Sequence, residues 1–158
     1  MSIANHLAPS PQPHAHTFIN PQGLYDPRPN GYSHVVVAHA PARLVFVAGQ
    51  GGEDAEGALP ADFAAQVGQA LRNLQAALHA AQARLADIVR LTVLVVDHTP
   101  QRLAVLSTSL KALWGDHPTP ACTLIPVPRL ALDGMLFEIE AQAVVPLGTG
   151  QSGAIEAR

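Results

Sequence analysis

Apolar residues recur at three- and four-residue steps from Asp62 to Ala83. Phe63, Val67, Ala70, Leu71, Leu74, Ala77, Leu78 and Ala81 make one stripe, and Gln66, Gln69, Arg72, Asn73, Gln75, His79 and Gln82 fill the opposite face. That period predicts an amphipathic helix, with Pro60 just ahead of it where proline is tolerated. A second helix is predicted from Pro100 to about Trp114. Thr99 can cap it, Leu103, Leu106, Leu110, Leu113 and Trp114 form its stripe, and Gly115 stops it.

The remaining apolar runs read as strands. His34 to Ala40 and Arg43 to Gly49 are separated only by Pro41-Ala42, which suggests a hairpin. Ile88 to Val96 is rich in β-branched residues and reads as a buried central strand. Two further runs, within Thr119 to Val145, flank a turn-rich middle from Pro126 to Gly134. The order strand, strand, helix, strand, helix, strand, strand predicts an α+β domain, with both helices on one face of a mixed sheet. The other sheet face then needs a cover, most simply another copy of the chain.

The run from Met135 to Val145 carries the first chemical signal. Successive strand residues point to opposite faces. Glu138, Glu140 and Gln142 therefore share one side, and Phe137, Ile139, Ala141, Ala143 and Val145 the other. An unpaired buried charge is costly, so the two carboxylates must face water, a partner chain or a ligand.

Composition narrows the rest. The chain has 158 residues, 48% of them hydrophobic, enough for one domain with a real core. Residues 1–17 read as a flexible Pro/His-rich tail, 18–147 as a single domain and 148–158 as a second flexible tail. His6, His14 and His16 are expected to be solvated rather than metal-bound, because a metal site needs rigidly held ligands. The net charge of -3 offers no phosphate-tracking surface, so nucleic acid is not an expected partner. The acidic, Gly-rich loop from Gln50 to Gly57 lacks the Gly-Lys-Ser/Thr pattern of a phosphate cradle. His98 beside Asp97 reads as turn chemistry rather than an acid–base pair. A single cysteine, Cys122, excludes an internal disulfide. The N-terminus does not read as a secretory signal, and no apolar run reaches the ~18–20 residues of a membrane helix. A soluble, cytoplasmic protein without membrane contact is expected.

Five segments in order resemble the reactive intermediate deaminase (RidA/YjgF) family across roughly residues 30–145. They are Gly31-Tyr32-Ser33-His34, Leu44 to Gln50, the helix with Asp87 to Val93 after it, Pro120-Ala121-Cys122-Thr123, and Glu138-Ile139-Glu140-Ala141. The resemblance implies a chorismate-mutase-like α+β fold and a homotrimer with ligand sites in intersubunit clefts. It implies hydrolysis of enamines and imines to keto acids and ammonia, with no cofactor and no metal. Glu138 matches the residue that positions the attacking water, and Tyr32 the site tyrosine. Gly49 and Ser107 fall at positions lining the family's site.

The chain departs from the family pattern where an arginine normally follows Pro-Ala and holds the substrate carboxylate. Cys122 stands there, and a thiol cannot replace a fork of donors. Arg129, on the following loop, is the candidate substitute. Ala48 and His34 replace the usual serine and glutamine. The readings that follow are an imine deaminase of altered specificity, a non-enzymatic trimer that binds a small metabolite, and a Cys122 nucleophile. For Cys122 the role of a small half-buried filler outweighs that of a nucleophile.

Overall fold

A computed structural model describes residues 15–147. Residues 1–14 and 148–158, which include His6, His14 and nearly all of both expected tails, lie outside that range. The elements are β1 (His16–Ile19), β2 (Val35–Ala38), β3 (Ala42–Gln50), α1 (Phe63–Ala80), β4 (Ile88–Val96), α2 (Pro100–Trp114), β5 (Ala121–Val127) and β6 (Phe137–Pro146). Four strands form the main sheet in the order β3-β6-β4-β5. β6 runs antiparallel to both β3 and β4, and β4 and β5 are parallel. A parallel pair needs a crossover, and α2 supplies it.

Both helices lie on one face, as the alternation predicts. α1 buries Phe63, Val67, Ala70, Leu71, Leu74 and Leu78, and α2 buries Leu106, Leu110 and Trp114. They share a core with Val45, Val47, Leu91, Val93, Val95, Phe137 and Ile139. Thr99 and Gly115 bound α2 as the sequence suggests, and Asp62 caps α1. The Asp62 side chain accepts from the Ala65 N–H, the Thr99 hydroxyl accepts from the Arg102 N–H, and Gly115 ends α2.

Three expectations fail. β2 does not fold back on β3. It pairs with β1 in a separate two-stranded sheet, from His16↔Ala38 to Ile19↔Val35, while β3 pairs with β6. A two-residue hairpin turn needs positive φ at its first central residue in both favoured types, and Pro41 cannot adopt it. His16 is buried rather than solvated, because β1 pairing carries it inward, edge-on to Phe18 at 5.1 Å. Gln66, assigned to the polar face of α1, is fully buried. Its amide donates to the carbonyls of Pro60 (2.7 Å) and Gly134 (2.8 Å), and its carbonyl accepts from the Leu136 N–H at 2.8 Å. The turn ahead of β6 has backbone groups to satisfy, and Gln66 supplies the partner.

Candidate functional site

β6 displays its two faces as the alternation requires. Phe137, Ile139, Ala141 and Ala143 are buried, Glu138 is half-buried, and Glu140 and Gln142 are exposed. Register places Glu138 beside Leu94 of β4, and Leu94 beside Ile125 of β5. This is the sheet face that neither helix covers. Leu44 and Phe46 of β3 also stand exposed, at 60% and 72%. Neither figure suits a solvated strand, since both are large apolar side chains.

Glu138 leans over Gly49. Between Val47↔Ala141 and Gln50↔Ile139, β3 advances three residues while β6 advances two, so β3 carries a bulge. Gly49 lies inside it. A Cβ built on Gly49 would overlap the Glu138 carboxylate and lie 2.6 Å from its Cδ. The absent side chain is therefore the space the carboxylate fills. Among the described residues Glu138 has no hydrogen-bond or ion-pair partner. A half-buried carboxylate with unused lone pairs can accept a proton from a water brought against it.

Cys122 lies elsewhere. Its register partner is Leu91, whose partner on β6 is Ala141, so it falls on the helix-covered face and packs against the core. Burial pushes its thiol up from 9.0 to about 11. A thiol so protonated is a poor nucleophile, which supports the filler role. Glu138 and Cys122 occupy opposite faces of one sheet, and a single chain does not bring them to one ligand.

Tyr32 belongs to the β5 edge. Ser33 bridges to Ala121, and its N–H donates to the Pro120 carbonyl at 2.9 Å. Gly31 makes the preceding turn with φ of +76°, a conformation that favours glycine. The same residue packs on α2, where a Cβ would lie 3.5 Å from Leu110 Cβ and 3.7 Å from the Ser107 carbonyl oxygen. Half-buried Ser107 thus backs the Tyr32 segment, and Glu138 is served by Gly49. Arg129 is exposed on the β5–β6 loop, and its guanidinium meets Asp133 at 3.3 Å.

Two features around these residues escape a sequence reading. Tyr25 meets Tyr32 hydroxyl to hydroxyl, and both rings pack edge-on to His34. A lone tyrosine in a Pro-rich segment carries no signal of such a contact. Arg90 is exposed on β4, with Gln142 as its β6 partner, on the same face as Glu138. Strand alternation could have placed it there. Among the described residues, no group of three or more His, Cys, Asp or Glu could hold a metal ion, and no helix is long and apolar enough to cross a membrane.

Residues 26–145 match the sequence model of the family described as Endoribonuclease L-PSP. A 2-iminobutanoate/2-iminopropanoate deaminase of Escherichia coli (strain K12) is 39% identical over 90 residues, 56% of this chain and 68% of that protein. The deaminase of the same description from Salmonella typhimurium is 36% identical over 104 residues, 64% of this chain and 79% of that one. Among solved structures, the Rid-family protein YyfB from Yersinia pestis superposes with a TM-score of 0.79 at 38% identity, covering 83% of this chain and 99% of its own.

Proposed function

We propose that this chain, which belongs to the RidA/YjgF (Endoribonuclease L-PSP) family, hydrolyses reactive imines to carbonyl compounds and ammonia. The observation that carries this reading is the Glu138 carboxylate, held over Gly49 with no internal partner. It would accept a proton from water as the oxygen bonds to the carbon of the protonated imine, return it to the amine nitrogen as the C–N bond breaks, and take up the carbinolamine hydroxyl proton as the carbonyl forms. One water is consumed, one ammonia leaves, and no electrons are transferred. The related deaminases of known activity support the reaction class.

Specificity is the second part of the proposal. Cys122 offers no charged donors on its buried face, and Arg129 is engaged with Asp133. An imine without a carboxylate should lose little here, because there is no fork of donors for that group to find. A homotrimer accounts for the open sheet face. It would cover Leu44, Phe46 and Ile125, and would let Glu138 of one copy approach Tyr32 and Cys122 of another. The family description, Endoribonuclease L-PSP, suggests RNA cleavage. Glu138 and Glu140 share the open face, and their charges would repel a phosphate backbone.

The test is ammonia release from imines generated in place. An amino-acid oxidase supplies carboxylated imines and an amine oxidase neutral ones. The reading expects catalysis above background, with the neutral imines processed at least as well as the carboxylated ones. Background rates for both sets would leave the second reading, a trimer that binds a small metabolite without chemistry. The observation favouring that reading is the same loss of the guanidinium at Cys122.

A further inference from the structure

A cavity of about 410 Å³ lies between the C-terminal turns of α1 and α2 and the turn that leads into β4. That volume falls within the range of small-molecule sites. Leu78, Leu85, Leu113 and Trp114 form apolar walls, and Ala83 and Ala86 add only methyl groups to them. The cavity belongs to the helix layer. Glu138 lies on the sheet face that neither helix covers, so the two sites are separate.

The turn after α1 is braced from two sides. Arg43 of β3 donates to the Ala81 and Gln82 carbonyls at 2.7 and 3.0 Å. Buried Asp87 accepts from the Arg84 N–H at 2.8 Å and from the Arg84 guanidinium at 2.9 Å. The space is therefore formed before a ligand arrives, which lowers the ordering cost of binding.

Trp114 carries the polar signal. It closes the α2 stripe, one turn after Leu110, and is only 4% exposed. Its indole N–H can donate but not accept. Among the described residues that N–H meets no acceptor, yet it is not a sealed-in atom. Its open side is the cavity wall that the ring forms. A donor carried into an apolar wall is costly unless something accepts from it. Three exposed side chains, Gln75, Arg84 and His117, stand at the mouth and add further donors. Arg84 uses Nε and Nη2 on Asp87, which leaves Nη1 for another partner. Among the described residues no Asp or Glu lines the cavity.

We infer that this cavity is a second ligand site, for a small monocarboxylate with an apolar body. The body fills the space between the leucines and the Trp114 ring. The carboxylate accepts from the indole N–H and from the donors at the mouth. A lining with one guanidinium and no acid favours an anion over a cation or a neutral alcohol.

The chain's single Trp makes the test direct. The probe is 3-phenylpropionate added to the full chain, with 3-phenylpropanol as the uncharged control. The readout is the one indole ¹H–¹⁵N signal, with Trp fluorescence beside it. The inference expects a saturable downfield shift of the indole proton, half-complete at about 1 mM acid or below, with the alcohol weaker by about tenfold or more. Ala86→Phe places a ring in the cavity from an exposed position, and should abolish the response without lowering the unfolding temperature. An indole signal that stays put up to about 20 mM acid overturns the inference, as does an equal response to acid and alcohol. A full response in Ala86→Phe places the ligand elsewhere and overturns it too. The acid and alcohol arms need no variant, so they decide the matter if Ala86→Phe fails to fold. Neither arm uses imine hydrolysis, so the result stands apart from the activity of Glu138.

Discussion

Gly49→Ala is a one-methyl change whose effect should fall on chemistry and spare the fold. The new Cβ would overlap the Glu138 carboxylate and lie 2.6 and 2.9 Å from its Cδ and Cγ. Separations this short force a shift, and the mobile partner is the far end of the glutamate. Gly49 does not use the left-handed conformation, so alanine itself fits the backbone. Replacing glycine where φ permits stabilises by about 0.4–1 kcal/mol through the unfolded chain. Pushing Glu138 off its rotamer costs about 0.5–1.5 kcal/mol. The two nearly cancel, leaving a net change within about 1 kcal/mol. For a chain this size that is a shift of roughly 2–4 °C. Loss of a positioned general base, by contrast, costs about 10²–10⁴-fold in rate. The assays are thermal unfolding and oxidase-coupled imine hydrolysis on the same preparation. A Gly49→Ala protein that unfolds with the wild type and turns over within twofold of it would refute the claim that Gly49 makes room for a working carboxylate.

Three more residues, Cys122, Gln66 and Phe46, carry predictions drawn from the packing. The Cys122 thiol is pushed up to about 11 by burial, so at pH 8 its thiolate should be about a hundredfold scarcer than in the unfolded chain, and alkylation slower by that factor, as timed mass spectrometry will show. Its folded value lies above its unfolded 9.0, so the unfolded chain ionises first as pH rises; stability should be level below pH 9 and fall by roughly 3 kcal/mol as pH climbs through about 11, a loss absent in Cys122→Ala on urea titration. Gln66→Leu strips partners from the Pro60 and Gly134 carbonyls and the Leu136 N–H, and should cost about 3–9 kcal/mol by urea unfolding at one to three per group. Phe46→Glu places a charge on the open face, and light scattering should show the mass of three chains in the wild type falling to one.

Local chemistry made most of the fold legible. The α1 stripe, the Thr99 cap, and the alternation on β6 each depend on residues close in sequence. The β2 partner was not legible, because strand pairing depends on which edge is free, and only Pro41 hinted against the hairpin. Gln66 was misplaced for a related reason. Helical spacing locates a side chain on a face, but the carbonyl of Gly134, 68 positions away, decides whether that face is buried. The site shows the same divide. Glu138 stood out as a charge in an apolar strand, whereas its seat over Gly49 arises from a bulge that only pairing reveals. Tyr25 had no local signal, since its contact with Tyr32 is made by a loop.

The most direct measurement is the rate of oxidase-coupled imine hydrolysis by the wild type and by Glu138→Gln, with Glu140→Gln as the neighbouring charge control. Glutamine keeps the shape over Gly49 and removes the proton acceptor. The account predicts a wild-type rate well above background, a fall of about 10²–10⁴-fold in Glu138→Gln, and a rate within a few-fold of wild type in Glu140→Gln. Equal rates in the wild type and Glu138→Gln would contradict it.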